Sequence, residues 1–114
     1  MNPKKQKEKD RRRARKLADE AWDAVNADNL DLAEKIIRRA VVAQQDNPVL
    51  WVDQGVILGL RQKEAESADA FRAAISLAPN FAEPYARLAA LRIRQGFTTE
   101  AASLQTQAVR HAPD

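Results

Sequence analysis

Apolar residues recur at helical spacing along most of the chain and change face at regular intervals. From about residues 11–14 to about residue 27, Leu17, Ala21 and Ala24 make one stripe and Ala18, Trp22 and Val25 a second, which predicts a helix apolar over a wide arc. Asp28 and Asn29 interrupt it. Asp31 with Glu34 reads as the acidic first turn of a second helix, carried to about residue 45 by Ala33, Ile36, Ile37, Ala40 and Val41. Asn47-Pro48 is a restart, an N-cap followed by proline at the first helical position. A third helix over residues 49–60, a polar turn at 61–64 and a fourth helix over 65–77 follow, the last on Ala68, Phe71, Ala74 and Ile75. After Ala78-Pro79, Asn80 with Glu83 has the form of a capping box, and Pro84 still falls in the first turn. Gly96 is placed as a left-handed helix terminator; Thr98 is expected to cap a sixth helix, with Phe97 stapled onto it. No segment has the alternation of a strand. The predicted fold is all-α: three antiparallel helix-turn-helix hairpins.

The hairpins share a period of 34 residues. Ala40, Ala74 and Ala108 fall in one register, Ala21, Gly55 and Ala89 in another, and Leu17, Trp51 and Tyr85 in a third. Ala33, Ser67 and Ala101 form a fourth, and Pro79 and Pro113 close successive units. A fixed period in this range marks stacked supersecondary units. Residues 48–81, with Trp51, Gly55, Leu58, Phe71, Ala74 and Pro79, resemble a tetratricopeptide repeat (TPR). Residues 82–114 resemble it through Tyr85, Leu88, Ala89, Gly96, Ala101, Ala108 and Pro113, and residues 14–47 more loosely through Leu17, Ala21, Ala33, Ile37 and Ala40. The resemblance implies a right-handed α-solenoid over residues 14–114, with residues 1–13 as a basic N-terminal arm, either a helical extension or disordered.

Residue size fits that scheme. Small residues at Ala21, Gly55 and Ala89 let the helices of a hairpin approach, while Trp51, Tyr85 and Phe71 fill space between hairpins. Arg92 stands in the register of Leu58, and Gln105 in that of Phe71. Both make the last repeat more polar. That suits a terminal unit facing water, and the Ala112-Pro113-Asp114 end equally resembles a junction to a further helix.

Composition narrows the chemistry. The chain has 114 residues, enough for one domain, and no cysteine, which removes disulfides, thiolate metal sites and catalytic thiols. His111 is the sole histidine, so no histidine-based metal cluster fits within one chain; at a helix C-terminus it suits the helix dipole. Asp19, Glu20 and Asp23 read as a solvated face, and the three glycines form no phosphate loop. The expectation is a non-enzyme without cofactor or metal. No apolar run approaches the roughly 20 residues of a membrane span, and no secretory signal is evident, so the expected location is cytoplasmic.

The resemblance implies that the first helices of the hairpins line a concave surface. On this chain that surface is an apolar groove of Trp22, Val52, Val56, Ala90 and Ile93, rimmed by Arg15, Arg87 and Arg94. Many TPR domains bind chaperone-tail carboxylates through a lysine, asparagine and arginine clamp. The equivalent positions here are Ala18, Trp22, Asp53, Glu83 and Arg87, and four of these five do not suit such a clamp. The groove is expected to seat an amphipathic helix, an apolar peptide or a second copy of the chain; the competing expectation is that its residues thicken the core.

Charge adds a second candidate. Residues 1–16 hold nine basic side chains (Lys4, Lys5, Lys7, Lys9, Arg11, Arg12, Arg13, Arg15 and Lys16) against Glu8 and Asp10, a net +7, whereas residues 17–114 sum to −4. The arm reads either as a solvated, solubilising tail or as a contact to nucleic acid or an anionic membrane surface, with the repeats serving self-association. It carries no aromatic residue, so stacking on bases is excluded.

Overall fold

Six helices account for nearly all of residues 2–113, the part of the chain that the computed structural model describes. They are α1 (Pro3–Asn26), α2 (Leu30–Ala43), α3 (Pro48–Leu60), α4 (Glu64–Leu77), α5 (Ala82–Arg94) and α6 (Thr98–His111). Helix α1 begins about two turns earlier than apolar periodicity indicates. Asn2 accepts a hydrogen bond from the Lys4 amide at 2.9 Å, and Pro3 occupies the first turn. The lysines and arginines that follow are good helix formers, but they bury no face and so leave no hydrophobic period.

Asn29 and Asn47 cap α2 and α3 in the same way, through bonds from Leu32 N at 3.2 Å and Val49 N at 2.9 Å. The last three helices have no side-chain cap bond. The expected capping box at Asn80 and Glu83 therefore does not form: Phe81 holds the cap position, and Glu83 bonds Arg87 instead. Thr98 is the first helical residue of α6 rather than its cap.

Helices pair as α1–α2, α3–α4 and α5–α6, each hairpin stacks on the next through α2–α3 and α4–α5, and α1, α3 and α5 adjoin along one side. The stack measures 48 × 31 × 24 Å. Trp51 packs against both core clusters, one built on Ala21, Ile37 and Ala40, the other on Phe71, Ala74 and Leu88. Its indole N–H donates to the Gln45 carbonyl at 2.8 Å, and Tyr85, one repeat later, donates to the Pro79 carbonyl at 2.7 Å. The period thus preserves a tie between each inter-hairpin loop and the helix after it.

The turn inside each hairpin repeats too. Asp28, Gln62 and Gly96, spaced one period apart, all take positive φ (58°, 62° and 84°). Only the third is glycine, the residue for which this conformation carries no Cβ penalty. Gly55 answers a different need: a Cβ there would lie 2.5 Å from the Phe71 ring. Ala21 and Ala89 occupy its register opposite Ile37 and Gln105, where no ring presses in.

Charged residues also tie the repeats. Glu34, expected in an exposed first turn, is 7% exposed and accepts hydrogen bonds from Arg38, Arg61 (2.8 Å) and Lys63. Burial raises its pKa, but Lys63 and Arg38 together hold it below its ordinary value of 4.5. Arg38 also meets Glu66 at 3.4 Å, and the same pair recurs one period on as Arg72 and Glu100 at 4.0 Å. Arg92, expected to make the terminal repeat more polar toward water, is instead 8% exposed. It donates to Glu100 at 3.1 Å and Gln95 at 2.6 Å and lies 5.5 Å above the Phe97 ring, so its charge is satisfied within the last hairpin.

Two substitutions test this packing by urea denaturation. Gln62→Gly should stabilise the fold by about 0.5–1 kcal/mol, because relief of the left-handed backbone exceeds the added chain entropy. Gly55→Ala should destabilise it by about 1–3 kcal/mol, since the methyl must displace the Phe71 ring.

Candidate functional site

Helices α1, α3 and α5 enter the stack in equivalent registers, so residues 34 apart line up as rows across them. One row is Asp19, Asp53 and Arg87; the next is Trp22, Val56 and Ala90; a third is Asn26, Leu60 and Arg94. Between α3 and α5 these rows border a groove of about 360 Å³, floored by Gly55, Gly59 and Phe71 and lined by Val56, Leu60, Arg87, Ala90 and Arg94. At Gly59 the missing side chain leaves the floor open, whereas the room at Gly55 is taken by the Phe71 ring.

Four of the expected groove residues, Val56, Arg87, Ala90 and Arg94, are brought together there. Trp22 is half-buried against the first core cluster and stands beside Asp53. Ile93 is 62% exposed but does not line the groove. Val52 does not line it: one turn before Val56 on the same side of α3, it is 2% exposed within the second core cluster and packs there. Of the rim arginines, Arg87 pairs with Glu83 at 3.2 Å and Arg94 approaches Glu64 at 3.8 Å.

Asp53 is the residue that the apolar pattern passed over, although it is the sole charged residue of α3. Burial pushes its carboxyl up to about 6, and the neighbouring Glu83 charge adds to this; the Trp22 side chain and the Arg87 guanidinium act in the opposite direction. A half-buried carboxylate between an indole and an apolar groove is a poor core component.

Other surfaces differ in kind. All nine basic residues of the first sixteen lie on α1 and are exposed. A cavity of about 540 Å³ opens between the start of α5 and the end of α6, lined by Phe81, Ala86, Ala108 and His111, whose ring sits 5.6 Å from that of Tyr85. Among the described residues, no group of three or more histidine, cysteine or carboxylate side chains is placed to hold a metal ion, and no helix is long and apolar enough to cross a membrane.

No protein-family model matches the chain, and no curated protein matches it in sequence. Solved structures do. The chain is similar to the second TPR of Spaghetti (RPAP3) bound to the HSP90 peptide SRMEEVD, with 18% identity over 91% of this chain and 96% of that one and a TM-score of 0.83. It is similar to MamA, with 16% identity over 86% of this chain and 57% of that one and a TM-score of 0.81. It is also similar to the Sgt2 TPR domain from Aspergillus fumigatus, with 15% identity, 86% and 65% coverage and a TM-score of 0.81. The chain therefore spans little more than half the length of MamA. Together with the six helices in three phased hairpins, these likenesses establish the fold as a three-repeat TPR solenoid.

The raised carboxyl makes a stability prediction. Asp53 binds its proton more tightly folded than unfolded, so it opposes folding above about pH 6, and that opposition fades as pH falls towards its ordinary 3.8. Asp53→Asn should raise the midpoint of thermal unfolding at neutral pH, by an amount equivalent to about 1 kcal/mol after solvent screening, and flatten the pH dependence across that window. Below about pH 4.5 both proteins should lose stability as Glu34 gains a proton that Lys63 and Arg38 resist.

Proposed function

We propose that this chain is a non-enzymatic protein-interaction module that seats an apolar, cation-bearing segment of a partner protein on the face formed by α1, α3 and α5. The observation that carries the reading is Asp53, a destabilising half-buried carboxylate beside Trp22 at the edge of a groove lined by Val56, Leu60 and Ala90. An apolar side chain of the partner would fill the space over Gly59 beside Val56 and Ala90, and a lysine or arginine would meet Asp53, with Asp19 in the same row. Arg87, already paired with Glu83, would orient the far side of the segment.

The second TPR of Spaghetti was solved with the peptide SRMEEVD, which is acidic. Asp53 and Glu83 would repel such a ligand here, so the charge preference is the reverse of one for carboxylate tails. Protein binding is a property of TPR-fold neighbours; the preference for a cation comes from this chain's own residues.

Fluorescence anisotropy with synthetic peptides tests the proposal. A short amphipathic alanine-leucine peptide carrying lysines should bind at least about tenfold more tightly than its glutamate counterpart or SRMEEVD, a difference of about 1.4 kcal/mol. Val56→Arg should abolish binding, Asp53→Asn should erase the lysine preference, and affinity for the lysine peptide should fall as pH drops through about 6. Equal affinity for the lysine and glutamate peptides, or a preference untouched by Asp53→Asn, would overturn the reading.

A further inference from the structure

The nine basic residues near the N-terminus form neither a loose tail nor part of the folded body's ion-pair network. They lie on the continuous helix α1, and among the described residues none is within salt-bridge distance of a carboxylate. Elsewhere the contrast is sharp: eight of the ten remaining basic residues have such a partner. The cations of α1 are held in fixed register with their charge unspent.

That register sorts eight of them into two stripes, with Glu8 between the stripes and Arg13 apart, beside Arg38 and Arg39 of α2. Lys4, Lys7, Arg11 and Arg15 share one side of the helix, and Lys5, Lys9, Arg12 and Lys16 another, roughly 120° apart by helical geometry. Ala14, Leu17 and Ala21 face the body; the second stripe points away from it, and the first lies at its side, in line with Ala18 and Trp22. They run for about 18 Å, the length of about five base pairs. Asp19, Glu20 and Asp23 follow on exposed positions and limit a polyanion's footprint to the first four turns.

We propose that residues 3–16 of α1 are a binding site for double-stranded B-form DNA, the helix lying in the major groove with one basic stripe toward each phosphate strand. The major groove of B-form DNA is about 12 Å wide and admits a helix, whereas that of an RNA duplex is too narrow. Single strands would call for aromatic platforms, and α1 has none before Trp22. Insertion into a membrane would call for exposed apolar anchors, and residues 4–13 contain no apolar side chain. The contacts are to phosphate, so the binding is insensitive to sequence. This site is separate from the groove beside Asp53 and does not depend on it.

The test is anisotropy of a short labelled DNA duplex of mixed sequence, titrated with the intact chain between about 50 and 200 mM KCl. With about five to eight phosphates contacted, log K should fall against log salt with a slope of about −4 to −7. The fourfold variant Lys4→Gln/Lys7→Gln/Arg11→Gln/Arg15→Gln changes only exposed side chains, so its thermal midpoint should hold while the slope falls by about half. Val56→Arg should leave DNA binding intact. No binding at about 50 mM KCl, binding unaltered in the fourfold variant, or equal affinity for an RNA duplex would overturn the proposal, as would capture by phosphatidylserine vesicles in place of DNA.

Discussion

A helical hairpin of this length cannot bury its apolar face by folding on itself, and every other feature of the chain depends on that shortfall. The face of α2 is covered only when α3 lies against it, and that of α4 only when α5 arrives. Trp51 stands at the first of these joints. It touches both core clusters and is pinned by a hydrogen bond to the loop that precedes its own helix. Tyr85 repeats the arrangement at the second joint. The stack is therefore a chain of nearest-neighbour contacts, and a change at either joint affects the hairpins on both sides.

Because successive hairpins meet in the same way, the period assigns work to positions rather than to residue types. The position of Asp28, Gln62 and Gly96 is always a left-handed turn, although only one of the three residues is suited to it. The pairs Arg38–Glu66 and Arg72–Glu100 recur because the geometry that brings them together recurs. Where the period breaks, a local compensation stands in its place. Glu34 gathers three cations at the first joint, while Arg92 draws on Glu100, Gln95 and Phe97 within the last hairpin. The rows Asp19–Asp53–Arg87 and Trp22–Val56–Ala90 differ in chemistry from helix to helix, with Trp22 and Val56 partly buried against the two core clusters.

Helix count, pairing and the small-residue positions were legible in the sequence, since burial at helical spacing leaves a mark there. The start of α1 was not, because a helix that buries nothing has no hydrophobic period. Val52 was misplaced for a related reason. Val52 and Val56 lie one turn apart on the same side of α3, so hydropathy and spacing alone do not tell which of the two the core covers fully. The burial of Glu34 and Arg92 left no mark in the sequence, because Arg61 and Lys63 reach Glu34 from 27–29 residues away and Arg92 meets Glu100 and Gln95 only across the last turn. Asp53 was visible as a lone charge in an apolar helix, but its significance depends on Trp22 and Arg87 arriving from two other hairpins.

The rows on α1, α3 and α5 whose chemistry changes from helix to helix are the ones proposed to meet a partner protein. Amide chemical-shift mapping of the labelled chain, titrated with the lysine-bearing amphipathic peptide, tests this most directly. The largest shifts should fall at Asp19, Trp22, Asp53, Val56, Arg87 and Ala90, with the outward positions of α2, α4 and α6 silent. Shifts centred on those outward positions, or on the cavity between Phe81 and His111, would contradict it.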